Sequence, residues 1–172
     1  GVVYEAWKQT EQAAHTYLSA IRIRPGYPEA YNNLGNILRI QGKQEAAEAA
    51  LSEAIRNRPG YLMAQNNLGR CLREAGKLES ARAAYQSALC IQPDYPDAYS
   101  NLGVTLRDLG RKDQAFRQFQ RAILLGSDLP EAYCNLGVTL FDFGELRQAS
   151  LAYQRALILR PEYAEALNNL GN

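Results

Sequence analysis

Histidine is almost missing from this 172-residue chain, in which His15 is the only one. Most of the chemistry that imidazole supplies near neutral pH, as general acid, general base or metal ligand, goes with it. Cysteine is scarce too. Cys71, Cys90 and Cys134 form no Cys-x-x-Cys pair and have one histidine to join them, which argues against a zinc site and against a disulfide framework. Reduced thiols in a cytoplasmic setting are the expected state. An excess of charge is also lacking. The formal net charge is +1, so the electrostatics do not call for nucleic acid or an acidic membrane as partner. Fifteen apolar residues never run together, too few for a helical membrane span, and the opening residues carry no basic-then-apolar leader pattern. Gly-rich phosphate loops, nucleophile elbows and metal-ligand clusters do not occur, and the carboxylates are scattered over solvated helix faces. Neither catalysis nor a cofactor is expected.

What the sequence has in quantity is repetition. Asn33-Leu34-Gly35 returns as Asn67-Leu68-Gly69, Asn101-Leu102-Gly103, Asn135-Leu136-Gly137 and Asn169-Leu170-Gly171, each 34 residues after the last, and Gly1 falls on the same phase. A fixed period of this size means stacked repeats rather than one globular core. The 47% hydrophobic fraction is enough for a buried seam, so disorder is not expected.

Residues 28–61 serve as the reference repeat, with Pro28 at position 1. Proline suits the first turn of a helix, where its missing N–H costs nothing. Tyr31, Leu34, Gly35 and Leu38 then fall at positions 4, 7, 8 and 11, one face of a helix over 29–40. Gly42 ends that helix. A second helix over 44–57 turns Ala47, Leu51, Ala54 and Ile55 inward, and Pro59 closes the repeat. Residues 62–95, 96–129 and 130–163 follow the same grammar, between a partial repeat at 1–27 and a fragment at 164–172. Glycine at position 8 and alanine at positions 20 and 27 let helix axes approach closely, and the large residue at position 24 fills the space they leave. Leucine in place of Ala81 or Ala115 would overpack the seam by about 1–3 kcal/mol.

This pattern resembles the tetratricopeptide repeat family, a 34-residue helix–turn–helix with the signature W-x2-L-G-x2-Y, then A, F, A and P. Gln65 and Leu51 replace aromatics, Ser127 replaces the closing proline, and Lys8 stands where the inter-helix glycine would be. The resemblance implies an all-α fold, a right-handed superhelical solenoid of antiparallel helix pairs whose first helices line a concave groove.

On the first helices, positions 2, 5, 6, 9, 12 and 13 project away from the face that carries leucine and glycine. Position 6 is Asn33, Asn67, Asn101, Asn135 and Asn169; position 12 is Arg39, Arg73 and Arg107, then Phe141. Position 9 is Asn36 and Arg70, then Val104 and Val138, and positions 2 and 13 are mostly acidic. An asparagine amide has a donor and an acceptor end, so a column of them can clamp an extended peptide backbone. Each asparagine could instead bond a neighbouring helix, but asparagine is a middling helix former, and the clamp is the preferred reading. For Arg39, Arg73 and Arg107 the preferred reading is pairing with acids at positions 2 and 13 of adjacent repeats, worth ~0–1 kcal/mol when exposed; the alternative is selection of carboxylate ligands. His15, at position 22, reads as a surface residue.

Chaperone-binding members of the family grip a carboxylate with lysine at position 5; here that position holds Asn32, Asn66, Ser100 and Cys134, so that clamp is not expected. The asparagine ladder resembles the superhelix of O-linked N-acetylglucosamine transferases and their relatives. Three functions follow from the sequence. The leading one is a non-enzymatic protein-interaction scaffold that binds extended peptides. The second is the substrate-recognition region of such a glycosyltransferase, with the catalytic domain outside this chain. The third is a structural spacer. The repeat phase at both ends, with a Leu167/Leu170 face left partly covered, further suggests a piece of a longer array or head-to-tail self-association.

Overall fold

The computed structural model describes the backbone of residues 2–171 and the side chains of residues 10–171. The sequence readings at Gly1 and at the side chains of Tyr4 and Lys8 lie outside the described residues. Within them the chain is an all-α solenoid of short-linked helices, ten in all, with no strand. It divides into two compact units, Gly1–Ile91 and Gln92–Asn172.

Unit 1 holds α1 (Val2–Ile23), α2 (Pro28–Ile40), α3 (Gln44–Asn57), α4 (Leu62–Glu74) and α5 (Leu78–Ile91). The pairs α2/α3 and α4/α5 are antiparallel hairpins of helices, each closed by a three-residue turn. The turn has a defined chemistry. Gly42 has φ +74°, its N–H bonds the Arg39 carbonyl, and the Lys43 N–H bonds the Leu38 carbonyl, both at 2.9 Å. That is a Schellman motif, which satisfies carbonyls left open at the helix end and requires a left-handed residue. Gly76 repeats it with φ +74°. In α1 the helix runs through Lys8 without a break, because no glycine is there to take the left-handed conformation. The first partial repeat is thus one long helix rather than a hairpin.

Unit 2 holds α6 (Pro96–Asp108), α7 (Lys112–Leu125), α8 (Pro130–Asp142), α9 (Leu146–Leu159) and α10 (Ala164–Gly171). Gly110 and Gly144, at φ +75° and +81°, turn its hairpins in the same way. Its core gathers Cys134, Leu140, Ala149, Ala152, Tyr153, Ala156 and Ala166 from three successive helices.

Within each hairpin the position-8 glycine meets position 24. A Cβ on Gly35 would lie 2.6 Å from Cγ of Leu51, one on Gly69 would lie 2.6 Å from Cε1 of Tyr85, and Gly103 and Gly137 stand likewise against Phe119 and Tyr153. The alanines at positions 20 and 27 are buried in all four hairpins.

First helices have a second buried face that their leucine stripe does not announce. Ala30, Ala64, Ala98, Ala132 and Ala166, at position 3, are buried, as are Cys71, Thr105 and Thr139 at position 10. Cys71 packs with Ala47 and Leu51 of the preceding hairpin, and its Sγ lies 3.5 Å from the Gln44 carbonyl oxygen. Position 5, read from the sequence as part of the groove, belongs to this seam: Asn32, Asn66 and Cys134 are all buried. Within each unit α4 and α8 touch both their own partner helix and the preceding hairpin, so the exposed arc is narrower than a one-sided helix would present.

Candidate functional site

The five position-6 asparagines are all half-buried, at the edge between the seam and solvent. In unit 1, Asn67 donates from Nδ2 to Oδ1 of Asn32 at 2.9 Å. Asn32 in turn donates from Nδ2 to Oδ1 of Asn33 at 3.2 Å. In unit 2, Asn169 points its Nδ2 at Sγ of Cys134 at 3.9 Å, and Oδ1 of Asn135 accepts from the Arg107 guanidinium at 3.2 Å. Asn101 and Asn135 also receive Thr105 and Thr139 hydroxyls on their backbone carbonyls. That keeps a threonine buried inside the seam without leaving its oxygen unpaired.

The arginine column is tied down as well. Arg39 donates from one guanidinium nitrogen to Glu74 at 2.7 Å and from the other to Oδ1 of Asn36 at 3.0 Å. Its side chain is only 10% exposed. Arg39, Asn36 and Glu74 therefore form a closed polar cluster in which position 12 of one repeat reaches position 13 of the next. Arg107 is spent on Asn135 instead, while Arg73 is half-buried and Arg70 is exposed. In the last hairpin Phe141 stands in the arginine position and is largely exposed.

Two acids at position 2 have other partners than the sequence reading gave them. Glu29 pairs with Arg58 at 2.6 Å, and Glu131 pairs with Arg160 at 2.7 Å. Each of those arginines also stacks on the tyrosine three residues on, Arg58 over Tyr61 and Arg160 over Tyr163. The ion pair fastens the end of a second helix to the start of its own first helix, and the cation–π contact holds the same arginine against the tyrosine that leads into the next first helix. A hydrogen bond from its own backbone N–H, opposed by desolvation and helped by Arg58, holds the Glu29 carboxyl below the usual carboxylate range. This cluster spans most of a repeat in sequence, and only the recurrence of Arg-x-x-Tyr at 24–27, 58–61 and 160–163 signals it.

His15 is exposed and lines a shallow hollow with Glu11, Leu18, Leu34, Leu38 and Lys43. Among the described residues no group of histidines, cysteines and acids could hold a metal ion, and no helix is long and apolar enough to cross a membrane. The three cysteines are free thiols, with Cys71 and Cys134 buried and Cys90 exposed.

Comparison with known proteins agrees with this architecture. A family model described as TPR repeat matches residues 69–106, and tetratricopeptide repeat models match residues 16–49, 97–126 and 134–172. Among curated proteins no sequence matches the chain. Similar solved structures include MamA, 21% identical with a TM-score of 0.79 over 94% of each chain. YrrB, described as a TPR protein with an unusual peptide-binding site, is 22% identical with a TM-score of 0.74 over 99% of this chain and 88% of its own. A thermophilic TPR protein of Thermus thermophilus is 23% identical with a TM-score of 0.79 over 99% of this chain and 93% of its own. At these identities the likeness speaks for the fold. Together with the helix hairpins, their glycine turns and the period of 34 residues, the family matches show that the chain belongs to the tetratricopeptide repeat family.

Proposed function

We propose that this chain is a protein-interaction scaffold that holds extended peptide segments along the asparagine-bearing faces of its first helices. One observation carries the reading. Asn33, Asn67, Asn135 and Asn169 each commit one end of the amide to the protein. The other end then serves a ligand that offers backbone N–H and C=O groups. Asparagines held in this way are pre-oriented, which lowers the entropy lost on binding. YrrB, of the same fold, is described as having a peptide-binding site, which supports the same class of partner here. Arg70, exposed at position 9, would add a preference for an acidic residue in the bound segment, while Arg39 already donates from both terminal nitrogens, to Glu74 and Asn36.

The test is a screen of random peptides about a dozen residues long, ~3.3 Å per residue when extended, against the chain and against Asn67→Ala/Asn101→Ala/Asn135→Ala, with thermal unfolding of both. Loss of peptide affinity in a variant that still unfolds cooperatively is the expected result. Unchanged affinity with lowered stability would mean that these asparagines only hold repeats together.

A second reading, self-association, has its own observation. In unit 2 the apolar side chains Phe141, Leu146 and Leu170, with Tyr153 and Asn169, surround an open hollow of ≈ 200 Å³, and all three apolar residues are exposed. Sedimentation showing a concentration-dependent mass that Leu170→Asp abolishes would support it. A constant monomer mass would exclude it.

A further inference from the structure

We infer that the buried Asn32 couples Asn33 and Asn67 into a single donor–acceptor pair, so that unit 1 reads an extended peptide through one C=O and one N–H together. The inference rests on the peptide-binding reading above and deepens it by naming a positioning residue and the chemistry it selects.

Asn32 is 2% exposed, an unusual place for a primary amide unless both its ends are paired. They are. Its Oδ1 accepts from Asn67 at 2.9 Å and its Nδ2 donates to Asn33 at 3.2 Å. The first bond links one repeat to the next, since Asn32 lies on α2 and Asn67 on α4, and the second joins Asn32 to its neighbour on α2.

An amide has one donor end and one acceptor end, and this fixes the outcome at its neighbours. Where Asn32 accepts from Asn67 and donates to Asn33, Asn67 turns its Oδ1 outward and Asn33 turns its Nδ2 outward. A half-turn of the Asn32 amide exchanges both roles at once. In either state the pair shows one donor and one acceptor, never two of a kind. An extended peptide backbone offers these groups alternately. A segment lacking N–H groups, such as a run of prolines, satisfies only half of the pair.

Unit 2 is a built-in contrast. Cys134 occupies the equivalent position and is fully buried, but a thiol is a weak acceptor and a weak donor. Asn169 reaches it only at 3.9 Å, and Asn135 is held by Arg107 instead. There the two asparagines are set independently.

The experiment uses the whole chain and a peptide selected from the same random library, together with analogues in which single backbone amides are replaced by esters. Affinity is measured for Asn33→Ala, Asn67→Ala and the double variant, in the Asn32 background and in Asn32→Cys. Cysteine is the residue that α8 already buries at that position, and a melting curve checks that the variant folds. With Asn32 present, each single substitution is expected to weaken binding about tenfold and the double variant scarcely more, the signature of coupled groups. In Asn32→Cys the two losses are expected to multiply. The ester analogue that removes the N–H facing this pair should weaken binding in the wild type and lose its effect in Asn33→Ala/Asn67→Ala. Side-chain amide resonances of Asn67 should shift in Asn32→Cys while those of Asn169 stay fixed. Losses that multiply in the wild type would overturn the coupling and leave the peptide-binding reading intact. Unmoved Asn67 amide resonances would overturn it without any ligand. Failure of every library peptide to bind would sink both.

Discussion

Gly69 faces the ring of Tyr85 so closely that a Cβ would fall 2.6 Å from Cε1, 2.7 Å from Cζ and 2.8 Å from Cδ1. The ring is fully buried and rigid, so it cannot step aside. Gly69→Ala gains up to about 1 kcal/mol of helix propensity but meets an overpacking cost of about 1–3 kcal/mol. Net destabilisation in urea unfolding is expected. Gly35→Ala meets Leu51 at 2.6 Å and the Ala47 carbonyl oxygen at 3.2 Å; an aliphatic side chain yields more readily than a ring, so it should lose less. Equal losses at both sites would show that the ring is not the obstacle.

Tyr85 carries a second consequence. Its hydroxyl is buried with no hydrogen-bond partner, and burial pushes the phenol well above its ordinary pKa, with Arg73 and Arg70 pulling the other way. A buried hydroxyl left unpaired costs about 1–3 kcal/mol. Tyr85→Phe should therefore leave the melting temperature unchanged or raise it, and Phe119 at the same place in α7, also fully buried, shows that the site accepts the smaller ring. A loss above about 1 kcal/mol would mean that the Arg73 guanidinium bonds the hydroxyl in solution.

The two faces of the first helices explain what could and could not be read from sequence. Leu34 and Gly35 announce one face because large and small residues recur there with helical period. The other face is paved with Ala30 and Ala64 and then with Cys71, Thr105 or Thr139, a mixture that no hydrophobicity pattern picks out. Alanine recurring at position 3 in every repeat was the usable signal. Asn32 was legible as a polar residue but not as a buried one, because its burial depends on the neighbouring repeats rather than on its own helix. The Arg58–Glu29 pair escaped for a related reason. It joins the two ends of one repeat, whereas charge matching along first helices looks only between neighbours. By contrast the hairpin turns were fully legible, since only glycine takes φ near +74° without strain.

Arg39 and Glu74 make a pair unlike the surface pairs elsewhere on the chain. Their side chains are 10% and 30% exposed, whereas those of Arg56 and Glu53, 2.6 Å apart, are 75% and 36% exposed. Desolvation makes loss of one partner costly when the other stays buried, and hydrogen bonds to charged groups are worth about 1.5–3 kcal/mol. Glu74→Gln is expected to destabilise by about 1–2 kcal/mol, Glu53→Gln by less than about 0.5 kcal/mol. A double-mutant cycle with Arg39→Met should show coupling for the Arg39–Glu74 pair, and the matching cycle at Arg56 and Glu53 should show almost none. Added salt should erase the small effect and spare the larger one.

The thiols give a prediction that turns on pH. Burial pushes the Cys134 thiol from 9.0 up to about 11 and raises that of Cys71 as well, while Cys90 is exposed. The thiolate is the reactive form, so a maleimide at mildly alkaline pH should label one cysteine promptly and the other two only on unfolding. Prompt labelling of two would show that one hairpin opens on the experimental timescale. The same shift makes the fold alkali-sensitive. Above pH 9.0 an unfolded chain releases the Cys134 proton that the folded chain keeps until about pH 11. The stability contributed by this thiol is thus complete below pH 9.0 and lost as the pH climbs toward about 11. Cys134→Ser, the residue that unit 2 carries at position 5 as Ser100, removes that proton from the balance. The fall in melting temperature between neutral and strongly alkaline buffer should be smaller in Cys134→Ser than in the wild type. An identical fall in both would assign the alkaline loss to the buried tyrosines, Tyr85 and Tyr153, whose phenols are raised by the same burial.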